Sequence, residues 1–171
     1  MGFLQAVEET QKSLQSLNEE LQSLHLMIVE DKPLKDCVLL VDQLGNTTED
    51  FIGWCEEAIL RTSLARRAAE AESDCHKVGP ALGEAHERLL QLDLRFHSDL
   101  ASYQRISELL ALGYEKKGEW ADWSETVMAG IERCQPLIAN CQRAILQAWQ
   151  ELSAGSRGHV YKAVALHCLD T

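Results

Sequence analysis

From Phe3 a stripe of apolar residues with one threonine in it recurs at alternating intervals of four and three: Phe3, Val7, Thr10, Leu14, Leu17, Leu21, Leu24 and Ile28. A stripe with that period is straight only on an α-helix, and it has to be covered, by another helix of the same chain or of a second one. The other side of the segment carries Glu8, Gln11, Lys12, Gln15, Glu19 and Gln22, so the helix is expected to have one face in water. Pro33 follows Glu30-Asp31-Lys32 and ends it, because proline lacks the amide donor and pushes the preceding residue out of the helical region.

Three further helical stretches follow. Pro33 suits the first turn of a second helix. Gly45-Asn46-Thr47-Thr48-Glu49-Asp50 then combines a glycine stop with threonine caps and acids, which predicts a break near 45–48 between a short helix at 34–44 and a longer one at 48–76. The longer piece sets Phe51, Cys55, Ala58, Thr62, Ala65 and Ala69 on one face, small enough towards its end for close helix approach. Val78-Gly79-Pro80 punctuates the chain, and Leu82, Ala85, Leu89, Leu92, Phe96, Leu100, Tyr103, Ile106 and Leu110 mark a third helix reaching about Leu112.

A polar turn at 113–118 leads into the fourth helix, whose seam runs through Trp120, Ser124, Val127, Ile131, Cys134, Ile138, Cys141, Ile145, Ala148 and Leu152. Pro136 lies inside it, which predicts a kink there or a division into two pieces. Short connections between long helices make antiparallel neighbours. The expected fold is therefore all-α: an antiparallel, up-down bundle of about four long helices over 1–153.

Residues 154–171 read as a flexible C-terminal tail. Arg157 and Lys162 against Asp170 leave it slightly basic on a chain of net charge -11. That mismatch favours an added scar or an alternative reading of the coding sequence over a partner-docking peptide.

The acidity bears on partners as well, since such a surface repels phosphate backbones and anionic head groups. Nucleic acid is excluded as an expected partner, and a membrane is disfavoured. No uncharged apolar run approaches the roughly 18 residues of a bilayer span. Neither end completes a lipidation signal: position 6 is alanine where myristoylation of Gly2 wants Ser or Thr, and Cys168-Leu169-Asp170-Thr171 has an acid where a prenylation box wants an aliphatic. Six cysteines, at 37, 55, 75, 134, 141 and 168, lack disulfide-framework spacing, which favours ordinary core thiols in a reducing cytoplasm.

Motifs that carry chemistry are missing. A di-iron bundle needs paired Glu-x-x-His, zinc needs closely spaced Cys and His pairs, and phosphate cradles need a Gly-rich turn between strand and helix. His76, His86 and His97 lie near acids without that spacing and are read as boundary residues, and adjacent Cys75-His76 cannot aim both side chains at one ion from a helix. No cofactor, metal or catalytic residue is expected.

The function expected is a non-catalytic protein–protein interaction module: an adaptor, scaffold or regulatory domain of a larger signalling protein, meeting a protein partner or a second copy of itself. The candidate contacts are Trp120 and Trp123, three apart beside an acidic turn, and the basic cluster Arg61, Arg66 and Arg67, for which pairing with helix-spaced acids is the plain alternative. The runner-up is a membrane-acting bundle that opens as cell-death executioner domains do, using the Ala-rich stretch and Pro136. A cofactor-binding bundle ranks third.

Overall fold

A computed structural model describes residues 2–30, 38–71, 76–100 and 117–155. Four helices account for nearly all of them. We label these α1 (Phe3–Glu30), α2 (Val38–Glu70), α3 (Val78–Arg95, continued by a π-helical turn Phe96–Leu100) and α4 (Lys117–Gly155).

Cross-helix contacts fix the directions. Between α1 and α2, His25 meets Thr48, Leu14 meets Cys55, Gln11 meets Ser63 and Glu8 meets Arg66. One number falls as the other rises, so the helices are antiparallel. The same holds for α2 with α3, through Phe51–Phe96, Arg88–Glu57 and Arg61–Glu84. It holds also for α1 with α4, through Trp123–Met27, Gly130–Leu24 and Arg133–Glu20. Gln142–Asp93 and Trp149–Gly83 join α3 to α4, a seam less extensive than the other three among the described residues. The molecule is an antiparallel up-down four-helix bundle.

The seams read from the sequence form its core. Val7, Leu14, Leu17, Leu21, Leu24 and Ile28 of α1 are fully buried, and Phe3 is half-buried at the end. On α4 every seam residue from Ser124 to Leu152 is buried. Pro136 does not divide that helix, which is continuous from Lys117 to Gly155. It sits on the exposed face, where water can take the hydrogen bond that its ring removes, and Cys134 and Ile138 stay buried on either side of it.

The expected break near 45–48 is not there. Helix α2 runs without interruption from Val38 to Glu70. Instead of capping a new helix, Thr47 Oγ1 donates back to the Gln43 carbonyl at 2.9 Å, and Thr48 Oγ1 lies 2.9 Å and 3.2 Å from the Gly45 and Leu44 carbonyls. A threonine hydroxyl bonded to the preceding turn is compatible with helix, and its capping preference is then unused. Gly45 has no left-handed conformation to mark a stop. Its missing side chain serves packing, since a Cβ there would lie 3.3 Å from Val29 Cγ2 of α1.

Two other boundaries move. Val78-Gly79-Pro80 is the first turn of α3 rather than a spacer before it, and proline is tolerated there because first-turn amides have no intrahelical partner. Helix α4 begins at Lys117, inside the expected polar turn. The stretch 34–37, the third-helix residues Tyr103, Ile106 and Leu110, and the tail from 156 lie outside the described residues.

Candidate functional site

Helical spacing sends the three arginines of α2 in different directions. Arg66 faces α1, its Nη2 2.9 Å from Glu8 Oε1 and its Nε 3.3 Å from Glu70 Oε1. Arg61 faces α3, with Nε 3.0 Å from Glu84 Oε2 and Nη2 4.0 Å from Glu57 Oε1. That Nε is buried and makes no aligned hydrogen bond, so the pair with Glu84 is held by charge and proximity. Glu57 is shared, since Arg88 Nε approaches the same oxygen at 3.0 Å. Intrachain pairing thus accounts for Arg66 fully and for Arg61 in large part. Arg67 is exposed in the last turn of α2 and forms no ion pair among the described residues.

Arg61 and Arg67 are reunited on the rim of a groove of about 520 Å³ between the end of α2 and the start of α3. Leu64, Ala68 and Ala71 line one side of its floor, and Pro80 and Ala81 line the other. Lys77 and His76 continue the rim, and Glu84 is the one carboxylate among the described residues that line it. The floor does not stop at the groove: Leu60, one turn before Leu64 on the same outer side of α2, is 55% exposed and Leu64 is 37% exposed. Nothing in the heptad reading singled out these leucines, because they lie off the seam and become a surface only once α3 is docked.

The tryptophans divide otherwise than expected. Trp123 is not a surface contact: it is 7% exposed, and its indole Nε1–H donates to the Met27 carbonyl of α1 at 3.3 Å. An indole buried with its one donor satisfied packs as a core anchor. The backbone of Trp120 lies in the first turn of α4, and its side chain is outside the described residues. Trp54 and Trp149 are half-buried against the core, Trp54 with Phe51 at 5.8 Å and the Arg95 guanidinium 5.7 Å above its ring.

Cys55, Cys134 and Cys141 are buried and free. Cys55 Sγ–H donates to the Leu14 carbonyl at 3.3 Å. Loss of hydration pushes the thiols of Cys134 and Cys141 up to about 12 and raises that of Cys55 further, where the neighbouring Cys141 and Glu56 add to the effect. Such thiols are poor nucleophiles. His97 Nε2 lies 3.2 Å from Asp93, which also accepts from Gln142 across the α3–α4 seam. Among the described residues no group of three or more His, Cys, Asp or Glu could hold a metal ion, and no helix is long and apolar enough to cross a membrane.

No family model, no curated protein and no solved structure matches this chain.

Proposed function

We propose that this chain is a non-catalytic helical protein–protein interaction module, an adaptor, scaffold or regulatory domain working in the cytoplasm without a cofactor. The observation that carries this reading is the outer face of α2, where Leu60 and Leu64 stay exposed and Leu64, with Arg67, lines the groove against α3. Single exposed leucines are ordinary on a protein surface, but apolar side chains continuous with a shaped groove and rimmed by charge are the usual make-up of a docking site. A rigid four-helix frame presents that face without needing a loop.

The test is affinity capture from host cells with the purified chain, beside a designed four-helix bundle of the same length and net charge, with retained molecules identified by mass spectrometry. The module reading expects proteins that are enriched over the control and displaced by excess free chain. Retention of small molecules or lipids alone, or of nothing beyond the control, would overturn it.

A further inference from the structure

We infer that two copies of this chain pair through the outer face of the α3–α4 seam, a face distinct from the one that carries the module reading. Position is the first argument. Leu90 lies seven residues after Gly83 and three before Asp93, which puts it on the side of α3 that meets Trp149 and Gln142. Leu146 lies four after Gln142 and three before Trp149, the same relation seen from α4. Between the two cross-seam contacts the leucines therefore stand at the same height, 44% and 50% exposed, and Leu94, one turn on from Leu90, is 65% exposed.

Charge is the second argument. Two chains of net charge -11 repel each other, so a copy settles only where carboxylates are sparse. Along α4 from Gln135 to Gln150 the one charged residue is Arg143, and its guanidinium bonds Asn140 one turn back. Between Gly83 and Leu94 on α3, Glu84 turns to Arg61, and Asp93 is taken up by Gln142 and His97, which leaves Glu87 as the exposed acid beside the leucines. A face with so little charge gives an oppositely charged protein nothing to choose it by, yet it is a surface that an acidic chain can turn towards its own copy. Size fits the same occupant. The stretches 83–94 and 135–150 run about 17 Å and about 23 Å, and at ordinary helix spacing they present a face of roughly 20 Å by 20 Å. That area belongs to the lower end of specific interfaces, and a two-fold pairing covers the leucines of both copies in one contact.

The experiment is sedimentation velocity on the full chain from about 1 µM to about 1 mM, where a face of this size should give a reversible monomer–dimer equilibrium. Leu90→Glu and Leu146→Glu should each weaken the dimer by about tenfold or more, because a two-fold pair meets every substitution twice and each new carboxylate adds to the repulsion. Leu60→Glu, on the outer face of α2, should leave the equilibrium unchanged. Raising the salt should tighten the dimer by screening two acidic chains from each other, whereas a contact made by opposite charges would loosen. Circular dichroism of each variant confirms that the bundle is intact, and all three leucines are exposed enough to change without unfolding it.

A chain that stays monomeric throughout that range, a dimer indifferent to both seam variants, or a dimer that loosens as salt rises would overturn the inference. A monomeric chain whose Leu146→Glu variant loses a protein captured from host cells would give the face to a different partner, which also overturns the pairing and leaves the module reading standing.

Discussion

Nδ1 of His25 lies 2.8 Å from Oγ1 of Thr48, tying α1 to α2 where the chain was expected to break. The hydroxyl has one proton, and the Gly45 carbonyl at 2.9 Å and the Leu44 carbonyl at 3.2 Å are both acceptors for it. With that proton on either carbonyl, the imidazole is the donor and carries its hydrogen on Nδ1. Thr48→Val keeps the shape of this fully buried side chain and removes both bonds. It should lower the unfolding free energy by about 1 kcal/mol, with His25, half-buried, finding water in part. Urea unfolding checks this, and long-range nitrogen NMR of the histidines should show the Nδ1-protonated form in the parent. An unchanged midpoint would mean that the pair is incidental.

Gly53 and Gly130 are both inside helices, yet substitution should act in opposite directions. A Cβ at Gly53 meets nothing within 4 Å, so Gly53→Ala gains helix propensity alone and should stabilise by roughly 0.5–1 kcal/mol. At Gly130 the new atom would lie 3.0 Å from Cδ1 of Leu24, which is fully buried. That crowding should offset the gain, so Gly130→Ala is neutral or destabilising. Thermal melts of the two variants give the comparison directly, and stabilisation of both by the same amount would contradict the packing described between α1 and α4.

The buried thiols make stability fall at alkaline pH. Cys134 and Cys141 are held protonated up to about 12 and Cys55 is shifted the same way, whereas an unfolded thiol ionises near 8.5. Below that value folded and unfolded chains bind the same protons. Above it the unfolded state loses them first, so each thiol costs stability as pH rises from about 9 towards 12, by at most about 1.4 kcal/mol per pH unit. Denaturant midpoints at pH 8, 9 and 10 should drop more steeply for the parent than for a variant with alanine at all three positions. Equal slopes would show that these thiols are not desolvated.

How much of this was legible beforehand depends on the range of the interaction. The α1 and α4 seams were readable because a strict alternation of four and three needs no knowledge of the partner helix, and Leu14, Leu24, Cys134 and Ile145 are all buried. The break near 45–48 was misread because glycine and threonine signals are local, while Gly45 against Val29 and Thr48 against His25 are tertiary. Trp123 was misplaced for a related reason: the Met27 carbonyl that takes its N–H is far away along the chain. Of the basic cluster, spacing alone anticipated the pairs Arg61–Glu57 and Arg66–Glu70, but not that Arg67 would face a groove floored by Ala81 and Pro80. No periodicity marks the π-helical turn at Phe96–Leu100, and we have no sequence account of it.

The most direct test of the bundle compares one aspartate at two places on α4. Ile138 is 2% exposed in the core and Leu146, two turns on, is 50% exposed. An unpaired carboxylate at the first site costs several kcal/mol, a large part of the roughly 5–15 kcal/mol that holds a domain of this kind together. Circular dichroism melts should show Ile138→Asp losing its cooperative transition or melting far below the parent, and Leu146→Asp melting within a few degrees of it. Two variants that melt alike, or an Ile138→Asp protein as stable as the parent, would contradict the placement of the fourth helix and the bundle built on it.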